Sequence, residues 1–229
     1  MIKAPAKLTL RRAFPRPTIE QVRAFAGVPT GVVCDAMGGS GALDRGIRPV
    51  VDERCIIVGP ALVADNGLAD ILATLASLHI VRPGDVVVAA TGAHQGCAAA
   101  GDLVMGMMRN AGAAGFVTDG LMRDYDGIAE VGLPAWCSGL SPNSPGSDGP
   151  GRVGEGAVVG GRLIQSGDLI VADRNGVVVV PLAEIDEVIK NVRQVQEEEA
   201  AFEAKVAKGF CAPVDVEAML EERSAVLID

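Results

Sequence analysis

Two stretches of this chain echo each other. PGDVVVAAT (Pro83 to Thr91) and SGDLIVADRNG (Ser166 to Gly176) each lead a Gly-Asp turn into a β-branched run. The second continues through Asn175-Gly176, a strong hairpin signal, into VVVVP. Two echoes do not make a repeat array, so they predict a β-rich core of similar hairpin-edge units. The remaining apolar residues must then fall on helices and strands around that core.

Thr18 caps a short helix with Glu20 in its first turn, and PTGVVCDAMGG forms a second helix stopped by Gly38-Gly39. CIIVGPALVAD reads as a buried strand broken at Gly59-Pro60. Leu68, Ile71, Leu72, Leu75 and Leu78 follow the spacing of an amphipathic helix. After the strand VVVAAT come a loop at Gly92 to Gly96, a helix from Ala98 to Met108, the strand GFVTDG, a short helix ending at Gly132, and the strand LPAWCSG. Ser141 to Gly161 is dense in Gly, Pro and Ser and reads as a long irregular surface loop. The segment 182–208 is a long helix with Ile185, Val188, Ile189, Val192 and Val195 on one stripe. Past Gln196 it turns polar, the pattern of a helix that packs on a neighbouring subunit.

At 229 residues the chain is expected to form one α/β domain, 1–229, opened by a basic arm over residues 1–17. A net charge of −9 argues against a nucleic-acid partner, which needs clustered Lys and Arg. No apolar run approaches the roughly 20 residues that cross a bilayer, and the N-terminus lacks the apolar core of a secretory signal. The expected place is cytoplasmic, without a membrane partner. Cys34, Cys55, Cys97, Cys137 and Cys211 form no CxxC pair and read as reduced, mostly buried thiols.

The chemistry concentrates in GDLVMGMMRNAGAAGFVTDGLMRDYDG, Gly101 to Gly127. Asp102 heads a helix-like run, where a carboxylate is also favoured simply as a capping group. Arg123-Asp124 follows after twenty intervening residues and beyond a strand-like segment. Both clusters therefore fall at loop ends on one edge of a sheet, where α/β proteins place ligand sites. Only Ala and Gly precede Asp102, which leaves the Leu103 and Val104 amides open to an anion. Arg123 offers a forked donor to a carboxylate or oxyanion, and Asp124 a hard oxygen ligand for a divalent cation. His94, in the loop ATGAHQGCAAAGD, is read as a specificity residue or a solvated side chain, with no second His nearby.

Asp102-x20-Arg123-Asp124, with VTDGLMRD, LPAWCSGLSPNSP and SGDLIVADRNGVVVVP around and after it, resembles the 4-hydroxy-4-methyl-2-oxoglutarate / 4-carboxy-4-hydroxy-2-oxoadipate aldolase family, which includes the RraA-like proteins. The resemblance runs from about Val28 to Pro181. It implies a swivelling β/β/α sandwich assembled as a homotrimer or a dimer of trimers, with sites between subunits. It further implies a metal-dependent pyruvate aldolase acting on a 4-hydroxy-2-oxo diacid, with oxaloacetate decarboxylation as a side activity. Asp124 becomes the ligand of Mg²⁺ or Mn²⁺, Arg123 the substrate-binding and catalytic arginine, and Gly101, Asp102, Leu103 and Val104 the substrate loop, with Asp102 catalytic through a water. Glu197, Glu198 or Glu199 would approach a neighbouring subunit's metal waters. One departure stands out: where aldolases of the family carry Glu, Asp or Ala, this chain has Gly127. The rival reading is a protein-binding regulator of a ribonuclease, as in RraA-like members; a lyase or hydrolase for another diacid is a third.

Overall fold

The computed structural model describes residues 6–51, 56–212, 215–226 and 228. They form two compact units, Met1–Val192 and Arg193–Asp229.

In the first unit, β3 (Ile57–Asp65), β4 (Val86–Ala90), β6 (Gly115–Thr118) and β8 (Ala135–Cys137) run parallel and side by side. β2 (Arg48–Pro49) closes one edge against β8, while β9 (Gly151–Val153) and β1 (Leu8–Leu10) extend the other. Alternate residues of β4 enter different cores. Val86, Val88 and Ala90 pack with Val63, Val117 and Trp136, whereas Val87 and Ala89 pack with Leu62, Phe116 and Met105. Side chains that alternate across a strand require two covered faces, so the run is apolar throughout.

The first face is covered by β strands. β12 (Leu169–Asp173) and β13 (Gly176–Val180) form the hairpin announced by Asn175-Gly176, and β10 (Gly156–Val159) pairs with β11 (Arg162–Gln165). The second face is covered by α3 (Leu72–Ser77), α4 (Asp102–Asn110) and α5 (Tyr125–Val131). The expected β/β/α layering is therefore present.

Gly59-Pro60 does not break its strand. Residues Ile57–Pro60 pair with β12 and Ala61–Asp65 with β4, so the dipeptide marks the corner where one strand changes partners. Proline lacks an amide donor and suits such a handover. Cys55, read as the start of this strand, lies outside the described residues.

Three further expectations are revised. Ala98–Ala100 is a strand, β5, paired in parallel with β7 (Leu121–Met122), and the helix starts at Asp102. The stretch Ser141 to Gly161 contains the whole of β9 and β10, which pair with strands outside it. The leucine-rich helix is short: Asp70 accepts the Leu72 amide at 2.7 Å, and the buried face is Ala73, Thr74 and Ser77, with Leu68 left 69% exposed before it.

The two Gly-Asp turns share one device. Asp85 and Asp168 are buried, and each accepts the amide three residues earlier, Arg82 at 2.9 Å and Gln165 at 2.8 Å. Asp85 also receives the fork of Arg16, with Nη2 at 3.0 Å from Oδ2. The basic arm is thus partly built into the unit by β1 and by a partly buried ion pair. α1 (Ile19–Ala24) carries a capping box, Thr18 with Gln21, and α2 (Thr30–Ala36) ends before Gly38.

A short 3-10 turn, Leu182–Glu184, leads into α6 (Ile185–Val206), which buries Ile185, Val188 and Val192. The second unit adds α7 (Val216–Glu222), capped by Asp215, and an edge-to-face contact of Phe202 with Phe210 at 5.9 Å. The sequence reading did not anticipate α7. Among the described residues no helix is long and apolar enough to cross a membrane.

Candidate active site

The twenty-residue spacing has a structural cause. β5 and β7 lie side by side in parallel, Ala98 opposite Leu121 and Ala100 opposite Met122, and the Arg123 amide donates to the Ala100 carbonyl at 3.2 Å. Each strand ends directly before a helix, so the first turn of α4 and the first turn of α5 open at the same place. The chain between them, α4 and β6, is the crossover that a parallel pair requires.

Gly101 is the N-cap of α4 in an extended conformation, with no side chain to bond the turn. Asp102 turns its Oδ1 onto the Leu103 amide at 2.7 Å. The Leu103 amide, expected to receive a substrate carboxylate, is therefore engaged by the protein. Among the described residues the amides of Asp102 and Val104 have no acceptor, and they stand at the positive end of the helix.

Asp124 is the N-cap of α5 and sits in the left-handed region, φ 61° and ψ 50°, which aspartate tolerates better than most residues. Its side chain makes no cap hydrogen bond. Arg123 Nε donates to Asp124 Oδ2 at 3.1 Å, and Arg123 Nη1 donates to the Ser144 hydroxyl. With side chains 37% and 41% exposed, this ion pair adds at most about 1 kcal/mol to stability. Its consequence is orientation: the guanidinium is held at two points, with Nη2 unengaged among the described residues.

Two glycines make the arrangement possible. A Cβ on Gly101 would overlap Asp124 Oδ2 and stand 3.1 Å from Arg123 Cγ. A Cβ on Gly127 would overlap Asp102 Oδ2 and stand 2.7 Å from Asp102 Cβ. Each carboxylate thus lies over a glycine of the other helix start. The departure at Gly127 is the space that Asp102 occupies.

Gly101, Asp102, Leu103, Val104, Arg123 and Asp124 all line one cleft of 230 Å³. Ile71, Ala98, Ala100, Met107 and Pro145 complete it and were not read as site residues from sequence; nor was Ser144, although the polar residues among the prolines of SPNSP carried a signal. His94 lies elsewhere, beside Asp70 and Cys97 at a separate crevice. Among the described residues no three acidic, His or Cys groups gather as a ready-made metal cage. Asp124 fits a cation of another kind: a half-exposed carboxylate whose Oδ1 has no partner among the described residues suits an ion that keeps most of its waters, as Mg²⁺ does. Glu197, Glu198 and Glu199 are exposed on α6 in the second unit.

The chain is thus a layered α/β sandwich with a carboxylate-arginine cluster at paired helix starts. The pattern of the RraA-like family, described as Aldolase/RraA, matches residues 30–179, and the chain belongs to that family. It is 32% identical over 194 residues to a Halalkalibacterium halodurans protein named "Putative 4-hydroxy-4-methyl-2-oxoglutarate aldolase", covering 85% of this chain and 92% of that one. Among solved structures it resembles Streptomyces coelicolor RraAS2, described as an unusual member of the RNase ES inhibitor RraA protein family. That likeness has a TM-score of 0.72 and 28% identity, covering 83% of this chain and 99% of the other. An uncharacterized Pseudomonas syringae protein matches with a TM-score of 0.73 and 25% identity, over 87% and 97% of the two chains.

Proposed function

We propose that the protein is a metal-dependent carbon–carbon lyase that releases pyruvate from a 4-hydroxy-2-oxo acid and decarboxylates oxaloacetate as a side activity. The observation that carries this reading is the meeting of Asp102, Arg123 and Asp124 in one cleft beside two unpaired helix amides. The substrate's carboxylate docks at the Asp102 and Val104 amides, a site for anions. Asp124 would hold Mg²⁺ or Mn²⁺, and a divalent cation there supplies Lewis-acid polarisation of the keto oxygen.

The chain's own groups do the rest. Arg123, steadied by Ser144, offers its free Nη2 to the oxygen on which charge grows. A water held by Asp102 takes the proton of the C4 hydroxyl. The C3–C4 bond breaks, its electron pair leaves as the enolate of pyruvate, C4 becomes a carbonyl, and a proton added at C3 completes pyruvate. In oxaloacetate the bond broken runs to a carboxylate and the same enolate forms. The functional assembly in this proposal is a homotrimer or dimer of trimers, with one of Glu197, Glu198 or Glu199 approaching a neighbour's site.

The structural likeness to an RNase inhibitor family, together with the acidic charge, favours a protein-binding regulator as the second reading. One experiment separates the two. Pyruvate release, coupled to lactate dehydrogenase, is followed with 4-hydroxy-4-methyl-2-oxoglutarate, other 4-hydroxy-2-oxo acids and oxaloacetate, with Mg²⁺ or with a chelator. Turnover that the chelator abolishes supports the lyase. No pyruvate from any acid sinks it and leaves the regulator.

A further inference from the structure

Ser144, which holds one nitrogen of Arg123, sits on a segment with little structure of its own: residues 141–149 are mostly exposed and form neither helix nor strand. A hydroxyl on such a segment orients nothing unless the backbone beside it is fixed. Here it is fixed on both sides. Before Ser144, the Ala98 amide donates to the Asn143 carbonyl and the Asn143 side-chain amide donates to the Gly96 carbonyl, each at 2.9 Å. After it, the Gly146 amide donates to the Ala69 carbonyl at 2.8 Å, and the Ile71 amide donates to the Gly146 carbonyl at 2.9 Å. Asp70 adds its carboxylate: Oδ1 accepts the Leu72 amide at 2.7 Å, and Oδ2 accepts the amides of Asp148 at 2.7 Å and Gly149 at 3.0 Å.

Asp70 is 8% exposed, and Ala69 before it holds a left-handed backbone, φ 55°, that alanine rarely adopts. A buried carboxylate requires donors, and those of Asp70 come from the start of α3 and from the loop, so it ties the two together. Asp70 is not among the residues lining the cleft, whereas Ile71 and Pro145 beside its bridge to Gly146 are. We infer that Asp70 and Asn143 are positioning residues of the site: they fix the backbone on either side of Ser144, so that its hydroxyl holds the Arg123 guanidinium with Nη2 toward the oxygen on which charge grows. This rests on the lyase reading and names what aligns its arginine. Loss of the Ser144 bond leaves Nε to Asp124 as the remaining contact of the guanidinium among the described residues, and the plane can turn about it. The keto oxygen carries more charge in the enolate than in pyruvate, so misalignment weakens enolate binding more than pyruvate binding.

The test compares Asp70→Asn, Asn143→Ala and Ser144→Ala with the unaltered protein. Oxalate, a planar dianion shaped like the pyruvate enolate, and pyruvate itself are titrated by calorimetry in Mg²⁺, and kcat and KM are taken from the pyruvate assay. Each variant should bind oxalate about tenfold more weakly and lose about tenfold in kcat, with pyruvate affinity and KM little changed. Combining Asp70→Asn or Asn143→Ala with Ser144→Ala should add nothing further, because each acts through the same hydroxyl. A merely structural role would weaken both ligands alike and add to Ser144→Ala. Additive effects overturn the inference. So does a folded Asn143→Ala with unaltered oxalate affinity, whether or not Asp70→Asn folds. Turnover by the unaltered protein with equal turnover in the variants keeps the lyase and removes the inference. The Ser144-dependent loss of oxalate binding, without pyruvate from any acid, removes the lyase and keeps the inference. A protein that neither binds oxalate nor releases pyruvate removes both.

Discussion

The Cα of Gly127 lies beneath the carboxylate of Asp102, close enough that a methyl group at 127 would stand 2.9 Å from Asp102 Cγ. Gly127 is inside a helix, where alanine is ordinarily better by about 1 kcal/mol. The 2.7 Å overlap with Asp102 Cβ cannot be relieved by turning that side chain, so Gly127→Ala should lower the melting temperature despite alanine's helix preference and displace Asp102, with kcat reduced about tenfold or more. Unchanged kcat in a variant that melts normally would show that this position of Asp102 is not needed.

Gly101 faces the other carboxylate. Its backbone, φ −135° and ψ −171°, suits any residue, so Gly101→Ala burdens the Arg123-Asp124 pair rather than the fold. Cation binding, read with Mn²⁺ by paramagnetic resonance, should weaken about tenfold while the circular dichroism spectrum is preserved.

Asp124 combines a ligand with a left-handed backbone. Asp124→Asn retains tolerance of that backbone and loses the charge, so turnover in Mg²⁺ should vanish with little change in melting. Asp124→Ala should lose turnover too and cost about 1 kcal/mol of stability in urea titrations. Arg123→Lys, which cannot hold Asp124 and Ser144 at once, should lower kcat by about a hundredfold or more.

Burial raises the Cys137 thiol above its ordinary value of 9.0, and burial with the Asp35 charge raises Cys34 as well. The folded state then binds protons more tightly than the unfolded state. Stability from these thiols is complete below about pH 9 and declines as pH climbs through the raised values. Urea titrations from pH 8 upward should show that decline, and Cys137→Ser, whose hydroxyl can still donate to the Gly139 carbonyl, should lessen it. An equal decline in the variant would assign the effect elsewhere.

Several local features were legible in the chain because their causes are local. Thr18 caps a helix with residues three positions on; Asn175-Gly176 closes a hairpin by its own backbone; Asp85 and Asp168 bond amides three residues away. Asp102, Arg123 and Asp124 were recognisable from residue type and spacing. Ala98–Ala100 was not, since three alanines carry no period and the strand exists through its partner β7. The same holds for β3, whose change of partner at Pro60 depends on where β12 and β4 arrive.

Sequence alone therefore decided which groups are at hand: the caps, the turns, the short apolar runs, and two carboxylates and an arginine twenty residues apart. Tertiary structure decided what those groups face. Gly101 and Gly127 give up their side-chain volume to carboxylates from another helix start, and Leu103 and Met107 come to line the same cleft as Asp102, Arg123 and Asp124. Steric room and desolvation are properties of neighbours brought together in space, and order along the chain does not contain them.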